Sequence, residues 1–190
     1  MSEKMLIRHC SPTLAGIKTG NLFSCEYEST SEVIEYLRNV NRKLKSKGLR
    51  ALPLKFTKSR VLIYVYRPER LSKDLSSCMA SEILNRRGYN TPDTDGCIIH
   101  LMSRLRESEE FPHEIGLFLG YPPEDVSGFI ENKPGSCKYT GLWKVYGNVE
   151  SALRLFEQYK KCTDVYSRQW ADGKTLERLA VSSISRRNPA

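Results

Sequence analysis

A chain of 190 residues, 39% hydrophobic and 27% charged, is ordinary for a globular protein and long enough to bury a core as one domain. No apolar run approaches the roughly 18 residues of a membrane helix, and MSEKMLIRHC is too short an apolar start for a secretory signal, so a cytoplasmic chain with no membrane partner is expected. The net charge of +8 directs attention to phosphates and acidic partners, and its distribution says more than its size.

Met5 to His9 is apolar enough for a strand or a buried lead-in segment. Ser11-Pro12 then reads as an N-cap and first-turn proline opening a brief helix through Thr13-Leu14-Ala15-Gly16. Asn21 to Tyr27 reads as extended. Ser29 and Glu32 have the spacing of a capping box, followed by Val33, Ile34, Leu37, Val40 and Leu44 on one helical face, with Gly48 as the stop. Leu49–Phe56 and Arg60–Tyr66 are two extended runs about Thr57-Lys58-Ser59. The second is β-branched and aromatic on both faces, hence an inner strand, whereas Pro53 sends the first to an edge or a bulge.

Pro68 begins helical sequence through Leu75, Met79, Ile83 and Leu84 to Gly88, and Thr91-Pro92-Asp93 begins another through Ile98, Leu101 and Leu105. The densest instruction lies in Phe111 to Asn132. Pro112 opens a short apolar helix that Gly120 ends, and Tyr121-Pro122-Pro123 starts a second carrying Val126, Phe129 and Ile130. Leu142 to Tyr146 reads as a short strand. Asn148 caps a long helix with Ala152, Leu155, Phe156, Tyr159, Cys162 and Tyr166 on its apolar face, broken at Asp172-Gly173. The expectation is α+β: a small, mainly antiparallel sheet covered by helices, with 60–66 central, 49–56 antiparallel to it, and 142–146 joining. It forms one domain over 1–181, followed by a flexible polar tail at 182–190.

Residues 38–73 hold twelve Lys or Arg against Glu69 alone, and residues 107–131 hold seven acids and no Lys or Arg. The acidic stretch either sits against the basic one or leaves a basic face open to an acidic protein or a phosphate-bearing ligand. Within that face Lys58, Arg60, Tyr64 and Arg67 form the candidate ligand set, since aromatic rings beside cations suit single-stranded nucleic acid or another anion. The favoured reading is a non-enzymatic binding or regulatory module.

Two other chemistries have sequence support. At 112–132, Gly116, Gly120 and Val126 have a spacing that resembles the DNA-binding helix-turn-helix, with Ile115, Leu119, Tyr121 and Phe129 at its core positions. Its second helix offers Glu124, Asp125 and Glu131 to a groove lined with phosphates, and no cation before Lys133. A cysteine hydrolase would use Cys10, at a helix start that lowers a thiol pKa, with His113 as base. His113 to Gly120 resembles the His-x-Gly-Ile/Val-Tyr-x-Gly strand of NlpC/P60-type papain-like hydrolases. One extra residue separates His113 from Gly116, and Cys10 lacks their Asp-Cys-Ser-Gly surroundings. The alternative is that Cys10 is a small buried hydrophobe. The six cysteines (10, 25, 78, 97, 137, 162) form no CxxC pair and His113 opens no H-E-x-x-H, so no metal, cofactor or disulfide framework is expected.

Three blocks together resemble a bacterial family of unknown function: His9 to Lys18 with Asn21-Leu22-Phe23; Pro112 to Gly116 through Asp125-Val126 and Gly128-Phe129-Ile130; and Trp143-Lys144-Val145-Tyr146-Gly147. The resemblance covers most of the chain. It implies a bacterial cytoplasmic setting and brings no established activity or catalytic residue.

Overall fold

The computed structural model describes residues 2–90, 93–107, 110–132 and 134–182. Thr91 and Pro92, expected at a helix start, lie outside them, as does nearly all of the polar tail expected at 182–190. Contacts divide the chain into two compact units, Met1–Glu69 with Lys161–Ala190 and Arg70–Lys160.

The first unit opens with helix α1 (Glu3–Leu14), where a strand or lead-in segment was expected. Leu6, Ile7, Cys10 and Leu14 fall on one side at helical spacing and are all buried. Pro12 stands in the last turn rather than the first, and the Ser11 hydroxyl donates to the Ile7 carbonyl beside it. Strand β1 (Gly20–Glu26) follows, then α2 (Thr30–Leu44). Val33, Leu37, Val40 and Leu44 of α2 are buried as the periodicity predicts, while Ile34 is exposed. Ser29 holds the N-cap position, but its hydroxyl pairs with Ser31 instead of closing a capping box.

Strands β2 (Arg50–Phe56) and β1 both pair antiparallel with β3 (Arg60–Tyr66), so β3 is central in the order β1-β3-β2. Pro53 has no N–H for the ladder, and the register of β2 shifts between Pro53 and Lys55. Edge strand β2 is guarded by Asn41, whose side-chain amide exchanges two 2.7 Å hydrogen bonds with the Ala51 backbone. Val61, Ile63 and Val65 enter the same core as the buried faces of α1 and α2, and Tyr64 and Tyr66 are buried with their rings stacked 4.7 Å apart.

The helical run expected from Pro68 to Gly88, in the second unit from Arg70 on, is two helices, α3 (Pro68–Leu75) and α4 (Cys78–Arg86). Between them Ser76 and Ser77 donate their hydroxyls to the carbonyls of Lys73 and Asp74, which competes with continuing the helix. Helix α5 (Thr94–Glu107) is capped by Asp93, which accepts from the Gly96 N–H. Helices α6 (Ile115–Phe118) and α7 (Pro123–Asn132) meet at the predicted corner, with Gly120 at φ +74°. A Cβ on Gly116 would come within 2.8 Å of Val126, so only glycine lets α6 lie this close to α7.

The segment 142–146 does not join the sheet. Strands β4 (Tyr139–Thr140) and β5 (Lys144–Val145) form a separate antiparallel hairpin, and β1 takes the third place beside β3. The reason is local: Trp143 and Tyr146 are engaged by α7, whose Gly128 has no side chain to obstruct the Tyr146 ring. Asn148 accepts from Ser151 and caps α8 (Val149–Ala171), Gly173 turns the chain at φ +84° just beyond its end, and α9 (Leu176–Leu179) returns Leu176 and Leu179 to the core of the first unit. The outcome is the α+β architecture expected, with more helix than sheet. Among the described residues no helix is long and apolar enough to cross a membrane.

Candidate functional site

The four residues of the proposed ligand set divide between surface and interior. Lys58 and Arg60 are exposed at the β2–β3 turn. Arg60 donates to the Ser24 hydroxyl and carbonyl at 3.0 Å and pairs with Glu26 at 3.3 Å. Tyr64 is wholly buried, and Arg67 is 3% exposed. The Arg67 guanidinium donates to the carbonyls of Thr13, Leu14 and Val181 at 2.7 to 2.8 Å and of Lys47 at 3.2 Å. Two of those carbonyls end α1, where a cation suits the helix dipole. Arg67 is therefore an internal bolt of the first unit.

Arg38 and Arg42 lie on α2, and Lys45 directly follows it. Arg38, Arg42 and Lys45 recur at helical spacing, all exposed and without an ion-pair partner among the described residues. Lys43 is already engaged, 2.7 Å from Glu3 and 3.4 Å from Glu177.

Cys10 is 0% exposed, and burial pushes its thiol pKa up, so the helix-start activation expected of it is absent: it lies within α1 rather than ahead of a helix. Its neighbour Lys18, 6% exposed, donates to the Gly20 carbonyl, and burial lowers its pKa to about 7. His113 lies in the second unit, exposed in the turn before α6 rather than on a strand, with its ring edge-on to Phe129 at 4.7 Å. The surroundings of Cys10 are those of a buried small hydrophobe.

His113 does line a cavity of about 350 Å³ within the second unit. Its floor comes from the α6–α7 corner through Gly116, Leu119, Tyr121 and Val126, and the hairpin adds Leu142, Trp143 and Lys144. Trp143 stacks on Tyr121 at 4.6 Å and meets Phe156 edge-on at 4.5 Å. Phe111 and Leu142, 49% and 59% exposed, belong to the same lining. The position of the hairpin depends on Asp125. Buried in the first turn of α7, it accepts from the Trp143 indole N–H and from the backbone N–H groups of Tyr146 and Gly147, each at 2.7 Å. Asp125→Ala is expected to cost roughly 2–4 kcal/mol, because one buried and two part-buried donors lose their acceptor. Asp125→Asn should recover only part of this, since one end of the amide is itself a donor. Urea unfolding, together with a red shift of Trp143 emission, would measure both.

Other acids of the 107–131 stretch are engaged locally. Glu114, 1% exposed, accepts from Arg104 and from the Tyr89 hydroxyl, and Glu131 accepts from Ser127. Glu124 and Glu131 are exposed on α7, so the would-be recognition helix presents acids. A wider cavity of about 630 Å³ lies among α3, α4 and α5, but Ser76 and Ser81 spend their hydroxyls on backbone carbonyls and Asp93 caps α5.

No sequence signal marked Asp125, Trp143 or Lys144 as a site. The available clue was that the second and third family-like blocks, far apart in the chain, both contribute to this one cavity. Fold and site together define a helix-rich α+β protein with an aromatic cavity beside a short hairpin. The chain belongs to the family described as Protein of unknown function (DUF3793), whose model matches residues 6–180. No curated protein and no solved structure matches it.

Proposed function

We propose that the protein is a cytoplasmic, non-enzymatic binding or regulatory module that offers the basic face within residues 38–73 to an acidic protein or a phosphate-bearing ligand. The observation that carries this reading is the exposed row of Arg38 and Arg42 on α2 with Lys45 directly after it, three cations at one-turn spacing with no ion-pair partner among the described residues. Such a row raises the local concentration of anions and is screened by salt. The binding reading, rather than a hydrolase, is supported by Cys10, whose thiol is sealed and held protonated.

Heparin retention and titration with a phosphorylated peptide, from low to physiological salt, test the proposal. Binding should fall steeply with salt, and the Arg38→Glu, Arg42→Glu, Lys45→Glu triple variant should lose most of it. On a nucleic acid the log–log salt slope should shrink by roughly 2–3 when three phosphate contacts are removed. Absence of any polyanion binding at low salt would sink the proposal.

A further inference from the structure

We propose that the cavity of the second unit is a binding site for a small aromatic acid, with the ring held between the α6–α7 corner and the hairpin and the carboxylate directed to Lys144 and His113. This goes beyond the basic face: it concerns a different unit and a ligand recognised first by its hydrocarbon. The volume of about 350 Å³ is in the range of small-molecule pockets, which are mainly apolar with a few placed polar groups. Here Leu119, Val126 and Phe129 supply apolar wall, and Tyr121 and Trp143, stacked on each other, add an aromatic edge that a flat ligand can meet. The exposed Phe111 and Leu142 are large apolar side chains that a ligand at the mouth would draw out of water.

Charge selects the acid over the amine. Among the described lining residues the one carboxylate is Asp125, and both its oxygens are occupied by the Trp143, Tyr146 and Gly147 donors. It has little to offer an incoming cation. The described lining also includes Lys144 and His113, whose amine and imidazole are hydrogen-bond donors. The exposed acids Glu110 and Glu124 stand outside the lining.

The chain contains two tryptophans, so a Trp170→Phe background leaves Trp143 as the reporter inside the cavity. Phenylacetate, phenylacetamide and phenethylamine would be titrated against it, with far-UV circular dichroism as the folding control. The proposal expects a saturable change in emission with phenylacetate at a dissociation constant below about 1 mM, and binding of the amide and amine weaker by about tenfold. Lys144→Met should reduce acid binding toward that of the amide. The comparison of three ligands on unaltered lining residues decides the matter even where a variant misfolds. Equal binding of acid, amide and amine would overturn the proposal, as would no saturable response up to roughly 10 mM. A response to a phenylalanine-bearing peptide alone would also overturn it, by assigning the cavity to a protein partner.

Discussion

Arg67→Met is expected to lower the stability of the protein by roughly 3–5 kcal/mol, a loss large enough to unfold a marginal domain. The guanidinium holds four carbonyls that come from separate parts of the first unit: the end of α1, Lys47 after α2, and Val181 after α9. Removing it strands acceptors in an interior where each unmade hydrogen bond costs about 1–3 kcal/mol. Methionine keeps much of the hydrocarbon, so the loss reports the polar bolt rather than a cavity. Arg67→Lys should recover little, because an ammonium cannot reproduce the planar fork of donors. Chemical denaturation gives the answer, and a loss below about 1 kcal/mol would show that the carbonyls find water instead.

Lys18→Met is expected to have the opposite sign. The amine has an ordinary pKa near 10.5, lowered to about 7 in the fold by burial, with nearby Cys10 working against the shift. Above pH 7 the folded chain holds a neutral amine while the unfolded chain still binds the proton, so stability rises with pH. Below pH 7 both states carry the charge, and the folded state carries it buried. The natural chain should therefore gain roughly 1–2 kcal/mol between pH 7 and 8.5. Lys18→Met should remove most of that slope and be the more stable protein at pH 6.5, by about 1–4 kcal/mol. The window stops at 8.5 because the thiols of Cys10, Cys25 and Cys97, pushed up by burial, oppose the trend above pH 9. Urea midpoints at pH 6.5 and 8.5 for both proteins test this. A flat profile in the natural chain would refute it.

The local signals in the sequence were strong and the long-range ones weak. The stripe of α2, the bulge at Pro53, the centrality of β3 and the corner at Gly120 all follow from spacing within a dozen residues. Helix α1 was obscured because Pro12 suits a first turn better than a last one. The third strand was misplaced because 142–146 and Asn21–Tyr27 both read as extended, and only the Asp125 anchor tells them apart. Arg67 looked like surface charge because its partners, at 13, 14, 47 and 181, are distant in sequence. The cavity was hidden for the same reason, since its walls join residues 111–129 to 142–144.

The way the chain passes between its units bears on how the protein is made. The second unit, Arg70–Lys160, is one uninterrupted stretch nested within the first, which is split between Met1–Glu69 and Lys161–Ala190. As the polypeptide emerges from the ribosome, the nested unit has all its residues before its host does. The host's sheet is already synthesised by Tyr66, but Leu176 and Leu179 of α9, and the Val181 carbonyl that Arg67 holds, arrive more than a hundred residues later. Through that interval Arg67 lacks one of its acceptors and the core lacks part of its cover. The vulnerable period is thus the synthesis of Arg70–Lys160, when the sheet that ends at Tyr66 still waits for Leu176, Leu179 and Val181.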